Sequence, residues 1–136
     1  MNSLCGVLIS HIMDEKAKEY FEKATNHLNE ANKELYKPIE DVVSFQVCKN
    51  SLFAIENYFK GFLAQRGFET KSEETLDHLL ERCRLVDKKF NQISINTIDC
   101  SADHHNNKFC EEINKVSSCF NAADNLDSFL RKQQII

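Results

Sequence analysis

The spacing of apolar residues along the chain predicts a first amphipathic helix near the start of the sequence. Between Asp14 and about Tyr36, apolar residues recur at helical spacing, with Glu, Lys and Asn between them. Asp14 is predicted to cap this helix, and Pro38 to end it and start the next. The apolar positions are Ala17, Tyr20, Phe21, Ala24, Leu28, Ala31 and Leu35.

The second predicted helix runs from about Pro38 to Arg66, and Gly67 is placed to take the left-handed conformation just after it. Its apolar residues fall on more than one face, so we expect it to be the central helix and also to contact a second protomer. These residues are Val42, Val43, Phe45, Val47, Leu52, Phe53, Ile55, Tyr58, Phe59, Phe62 and Leu63.

Two further helices complete the predicted fold. Thr70 and Glu73 have the spacing of a capping box for a third helix. A fourth helix is predicted from near Lys108 to about Lys132, after a stretch without a period of its own. The apolar positions of the third helix are Leu76, Leu79, Leu80, Cys83, Val86 and Phe90. Those of the fourth helix are Ile113, Val116, Phe120, Ala123, Leu126 or Asp127, and Leu130.

Four amphipathic helices with mostly short connections predict an all-α, up-down four-helix bundle. We expect an N-terminal tail over residues 1–13, the helical domain over 14–132 and a C-terminal tail over 133–136. The apolar residues near the N-terminus offer an alternative role for the first tail, as a patch that docks on a partner subunit.

Composition supports this fold class. A chain of 136 residues, 42% apolar and 28% charged, is typical of one soluble globular domain. Three glycines and one proline leave few turns for short strands. The net charge of −4, with scattered basic residues, argues against a binder of duplex DNA. A local RNA-binding pocket remains compatible with it.

The opening residues MNSLCGVLISHIMDEK lack a basic region and a small-residue cleavage site, and their apolar run is too short to span a bilayer. We therefore expect a cytoplasmic protein with no membrane contact and with reduced cysteines. Cys48, Cys83 and Cys119 lie on the predicted helices and are interpreted as small buried hydrophobic residues.

One segment, SLFAIENYFKGFLAQRGFETKSEETLDHLLERC, carries a combined pattern. Glu56 and Lys60 are followed by a glycine at the end of the helix, and a His with two leucines follows on the next helix. The full set is Ile55, Glu56, Lys60, Leu63, Gly67, His78, Leu79 and Leu80.

This pattern resembles the HEPN family, the nucleotide-binding helical domains of higher eukaryotes and prokaryotes, over roughly residues 14–132. The resemblance implies a four-helix bundle that binds a nucleotide or a protein. It also implies a partner, since HEPN proteins are often encoded beside a minimal nucleotidyltransferase in toxin–antitoxin modules. We further expect a homodimer through faces of the second and fourth helices.

Glu56, Lys60 and His78 are the candidate ligand-binding residues. Glu56 and Lys60 stand one helical turn apart, so they form either a half-buried structural ion pair or part of a ligand or dimer cleft. His78, flanked by leucines, is either a packed, hydrogen-bonded side chain or a ligand contact.

The resemblance also defines what a ribonuclease of this family would need. HEPN ribonucleases place an Arg, then four to six residues, then a His near the start of the last helix, which supplies a cation for phosphate and an imidazole for proton transfer. The arginines are Arg66, Arg82, Arg84 and Arg131, and none has a histidine at that distance. The expected place offers only His104, His105 and Lys108, and lysine lacks the planar fork of arginine.

The sequence therefore favours a non-catalytic nucleotide- or protein-binding subunit. The alternatives are an atypical ribonuclease that uses His104 or His105 with Lys108, and an oligomeric scaffold without a small ligand.

The stretch DCSADHHNNKFC also raises the question of a metal site. Cys100, His104, His105 and Cys110 offer zinc-type ligands, but no C-x2-C pair is present and adjacent histidines do not readily face one ion together. We expect no metal and no cofactor. The stretch is interpreted as a solvated connection and helix cap, and a phosphate-bearing ligand at that helix start remains an alternative.

Overall fold

A computed structural model describes residues 3–95 and 113–136 of the chain, and gives the backbone alone for 3–13, 39 and 113–116. This part of the chain contains four α-helices and no strand, which confirms the predicted all-α class. The helices are α1 (Ser3–Leu35), α2 (Ser44–Gln65), α3 (Leu76–Val86) and α4 (Ile113–Lys132), with short 3-10 turns at Ile39–Asp41 and Lys88–Gln92.

Helices α1 and α2 pack antiparallel. The ring of His27 on α1 lies 3.0 Å from the side-chain oxygen of Asn50, near the start of α2. Further along, Phe21 packs against Gly61, and a Cβ added to that glycine would lie 2.5 Å from the ring. Gly61 is therefore a position of close contact between the two helices, because any larger residue would displace Phe21.

Helices α2 and α4 run parallel, as three contacts along their length show. Cys48 meets Cys119 near the starts of the two helices, and Tyr58 donates a hydrogen bond to Asp127 farther along. At the ends, the side-chain amide of Gln65 donates to the carbonyl of Ile135. Parallel α2 and α4, both antiparallel to α1, agree with an up-down bundle.

The core surrounds α2, which contacts each of the other three helices and is central, as predicted. Phe90 closes one side of it, since its ring lies 4.4 Å from that of Phe62 and 5.2 Å from that of Phe129. Burial of each large side chain contributes roughly 1.5–3 kcal/mol. The largest buried side chains are Tyr58, Phe59, Phe62, Phe90, Ile55, Leu63, Leu79, Leu126, Leu130, Val47 and Cys48.

The first two helices begin at other positions than predicted. Helix α1 begins at Ser3, so Asp14 lies inside it and is not a cap. Helix α2 begins at Ser44 and not at Pro38, because Val43 is extended, with φ −90° and ψ 95°. The Val43 amide donates to the side chain of Glu34 at 3.0 Å, and this bond closes the turn between the helices.

The junction between α2 and α3 contains one confirmed and one wrong prediction. Gly67 has φ +87° and ends α2 in a Schellman motif: its amide bonds to the Ala64 carbonyl and the Phe68 amide bonds to the Leu63 carbonyl. The predicted capping box at Thr70 is wrong. Thr75 caps α3 instead, since its hydroxyl accepts from the His78 amide at 3.1 Å.

The third and fourth helices end in different ways. Helix α3 stops at Val86, so Phe90 reaches the core from the following 3-10 turn and not from the predicted helix. After α4 the chain turns at Gln134, which has φ 60°, and Ile135 is buried in the core. In the described residues, no helix combines the length and the apolar character that a membrane crossing requires.

Candidate functional site

The predicted pair on α2 is present as an ion pair. Helical geometry places Glu56 and Lys60 one turn apart, with 3.6 Å between the Lys60 Nζ and the Glu56 Oε1. The Lys60 side chain is only 11% exposed and that of Glu56 25% exposed. Both charges are thus held largely out of water on the central helix.

The distance between the two charged groups of this pair is longer than expected for side chains with so little exposure to water. A charge-assisted hydrogen bond between an ammonium and a carboxylate is usually about 2.7–2.9 Å long. Withdrawing an ammonium from water costs several kcal/mol unless close hydrogen bonds compensate for it. At 3.6 Å, Glu56 neutralises the charge of Lys60 without a short hydrogen bond. An additional acceptor near the Nζ atom would therefore be favourable.

His78 lies in a different group of side chains. Its Nε2 is 3.5 Å from an oxygen of Glu74, and its side chain is 63% exposed. Arg82 holds the same carboxylate with two contacts of 2.9 Å. A shallow cleft of about 380 Å³ lies here, between α3 and the segment that precedes it, with Glu69, Thr70 and Lys71 as its other walls.

The carboxyl of Glu74 is the centre of that group. Burial by itself would raise its pKa, but the Lys71 amide, at 2.8 Å, and the Arg82 guanidinium together outweigh burial and lower the pKa below the ordinary value. Glu74 is therefore ionised near neutral pH. Among the residues that line the cleft, Glu69 and Glu74 balance Lys71 and Arg82, so the cleft has no net charge that would attract an anion.

A larger groove of about 650 Å³ lies between α1 and the C-terminal end of α4. Its walls are mainly apolar, with Ala17, Phe21 and Ile135 among them, and Arg131 lies at its edge. The basic side chains of Lys18 and Arg131 are balanced there by acidic ones, Asp14 and Glu22. The groove therefore has no net charge that would attract a phosphate.

A partly buried polar network lies beside this groove. The Tyr58 hydroxyl donates to Asp127 Oδ1 at 2.5 Å, and the Nε of Arg131 bonds to both carboxylate oxygens at 3.0–3.1 Å. Burial, followed by the bond to Asp127, raises the pKa of Tyr58, so its hydroxyl stays protonated. The network fixes the position of Arg131.

Sequence reasoning missed this network and the contact at Gly61. The apolar pattern includes Tyr58 only as an apolar residue, and Asp127 only as an alternative to Leu126 for the inward position. For Gly61, the signal was its place inside a helix, where glycine costs about 1 kcal/mol relative to alanine and so indicates a packing constraint.

The remaining candidates lie outside the described residues. These are Cys100, His104, His105, Lys108 and Cys110. Within residues 3–95 and 113–136, no group of three or more His, Cys, Asp or Glu side chains is placed to hold a metal ion.

Comparison of the chain with protein-family models, with curated proteins and with solved structures found no match.

Proposed function

We propose that this chain is a HEPN-type binding subunit that takes a nucleotide at Glu56 and Lys60 and has no catalytic centre of its own. The resemblance of residues 51–83 to that family supports the proposal, and the all-α fold with a central second helix is compatible with it. The missing Arg–His motif supports the non-catalytic part.

The observation that carries the proposal is the state of Lys60. Its ammonium has three donors, little exposure to water and a carboxylate neighbour at 3.6 Å. A phosphate oxygen is the kind of acceptor that would complete its hydrogen bonds. Glu56 would then accept a hydrogen bond from a hydroxyl or amino group of the same ligand. A nucleotide carries both kinds of group.

In this proposal the chain acts with partners in the cytoplasm. It forms a homodimer through faces of α2 and α4, and it accompanies a minimal nucleotidyltransferase in a module of the toxin–antitoxin type. These partners come from the family resemblance alone. His78, in its own cleft with Glu74, remains a second predicted ligand contact.

Thermal melting with ligands tests the proposal. ATP, GTP and a short single-stranded RNA are each added at millimolar concentration to the wild type and to the double variant Glu56→Gln/Lys60→Met. We expect at least one ligand to raise the wild-type Tm, because a ligand at about 100 times its Kd stabilises the native state by about 2.7 kcal/mol. The double variant, which leaves no unpaired charge, should fold but lose this shift.

Lys49→Met is the matched control, since Lys49 is a half-buried lysine of the same helix that lies over the Phe53 ring, 5.9 Å from its centroid. It should retain the ligand-induced shift. Unchanged wild-type melting with all three ligands would contradict nucleotide binding and favour a scaffold. Cleavage of the RNA that is lost in a His104→Ala/His105→Ala variant would instead identify a ribonuclease.

A further inference from the structure

Two cysteines that are far apart in the sequence lie side by side inside the bundle. Cys48 lies near the start of α2 and Cys119 near the start of α4, and 71 positions separate them in the chain. Their sulfur atoms are 2.9 Å apart, and each residue is 1% exposed. Another cysteine, Cys83, is also buried, but its sulfur bonds weakly to the Phe59 carbonyl at 3.9 Å.

We propose that Cys48 and Cys119 form a disulfide bond that cross-links α2 and α4 when the chain meets a small-molecule disulfide such as oxidised glutathione. This site goes beyond the proposed binding function and does not depend on it.

Geometry carries the inference. A disulfide needs two sulfurs about 2.05 Å apart, so this pair has to close by only about 0.9 Å. The parallel packing of α2 and α4 already holds the two cysteines side by side. Tyr58 and Asp127, farther along the same interface, fix the register of the two helices. Bond formation therefore starts from two sulfur atoms that are already in contact.

The reaction is a two-step exchange. One cysteine thiolate attacks a sulfur of oxidised glutathione, forms a mixed disulfide and releases one glutathione thiolate. The second cysteine, as thiolate, attacks the protein sulfur of that mixed disulfide and releases the other glutathione thiolate. The two cysteines lose two electrons and two protons in total, and glutathione disulfide is reduced to two glutathione molecules.

Burial sets the rate of this exchange. The hydrogen bond with Cys119 and burial both raise the pKa of Cys48, so a thiolate rarely forms in the closed structure. The reaction should therefore proceed during folding or through a local unfolding that exposes the two sulfurs. The cross-link is then slow to form and slow to reduce, and it belongs to oxidising conditions, since the cytoplasm expected from the sequence keeps both thiols reduced.

The experiment is oxidative refolding of the full chain. Protein unfolded in guanidinium chloride is refolded in a glutathione redox buffer, remaining thiols are alkylated, and a digest is examined by mass spectrometry. Refolding from the denatured state gives glutathione access to both sulfurs. We expect a peptide pair joined through Cys48 and Cys119, and a Tm higher by roughly 5–15 °C than that of the reduced protein.

Cys83→Ala is the control variant, because it removes a buried thiol whose sulfur bonds to the Phe59 carbonyl and not to a cysteine of the described part of the chain. It should keep the cross-link, whereas Cys48→Ala should abolish it together with the redox dependence of the Tm. If Cys48 and Cys119 are both recovered alkylated after refolding, or are joined only to other cysteines, the proposal is wrong.

Discussion

Single residues in this chain are held by polar contacts that the apolar pattern does not encode, and Glu74 is the clearest example. Its carboxylate accepts from the Lys71 amide and from Arg82, and His78 lies within ion-pair distance. Because its side chain is 11% exposed, these bonds are poorly replaced by water. Glu74 therefore ties the segment before α3 to the helix itself.

Glu74→Gln should lower the free energy of unfolding by about 1–2 kcal/mol near neutral pH, because hydrogen bonds to a charged group are lost. The pKa of Glu74 is lowered by folding, so its contribution is present above the ordinary carboxyl pKa of about 4.5. It disappears as the pH falls through the folded-state pKa. Urea unfolding of the wild type and the variant across this acidic range measures the difference.

Glu81→Gln is the control for the Glu74→Gln measurement. Glu81 pairs with Arg84 on the same helix, but its side chain is 65% exposed, so the loss should be at most about 0.5 kcal/mol. If Glu74→Gln had an equally small effect, or if its effect persisted below the titration range of carboxyl groups, the described role of Glu74 would be contradicted.

At the scale of the helices, α2 and α4 end with the same hydrogen-bond pattern but with different residues. The amide of Gln134 bonds to the Arg131 carbonyl, and the amide of Ile135 bonds to the Leu130 carbonyl, as in a Schellman motif. The position with positive φ is Gly67 after α2 and Gln134 after α4. A glutamine there has a Cβ that disfavours the left-handed conformation.

Gln134→Gly should therefore increase stability, by about 0.5–1 kcal/mol, because glycine adopts positive φ without the steric cost. The mirror change, Gly67→Ala, should decrease stability by about 1 kcal/mol. Its cost comes from backbone conformation alone, since a Cβ at Gly67 would have no neighbour within 4 Å. Thermal and urea unfolding compare the two variants, and a destabilised Gln134→Gly protein would contradict the assignment.

The helices show how far the sequence alone could predict the fold. The apolar stripes placed all four helices and the central position of α2, because burial of an apolar face is a periodic signal. Helix starts were predicted poorly. Thr70 and Thr75 are both reasonable caps locally, and Pro38 is an acceptable first residue. In the structure the Val43 amide bonds to Glu34 and the His78 amide bonds to Thr75, and these two bonds fix the starts of α2 and α3.

The candidate site likewise has contacts that the sequence predicts and contacts that it does not. The pairing of Glu56 with Lys60 was predictable because both residues lie on one helix, one turn apart. The contact of His78 with Glu74 does not follow from the sequence pattern, because the pattern places the cap of α3 at Thr70 and the structure places it at Thr75. Contacts between distant segments, such as Tyr58 with Asp127 or Cys48 with Cys119, depend on the register of α2 against α4. No local pattern specifies that register.

At the scale of the whole molecule, most other conclusions depend on the register of α2 against α4. Parallel α2 and α4 determine where the core lies, which thiols meet and how the groove beside Arg131 is formed. The Tyr58–Asp127 bond is its most specific marker, because it joins a fully buried tyrosine to a carboxylate across 69 positions of sequence. The energy of that bond can be measured directly.

Tyr58→Phe and Asp127→Ala, singly and together, form a double-mutant cycle. Tyr58→Phe should cost about 1.5–3 kcal/mol, since the lost hydrogen bond has a charged acceptor. The two changes should couple by about 1–3 kcal/mol, because each removes the same bond. Tyr36→Phe is the control, since this tyrosine is 82% exposed and its loss should change stability by less than about 0.5 kcal/mol. Additive effects of Tyr58→Phe and Asp127→Ala would mean that α2 and α4 do not meet in this register.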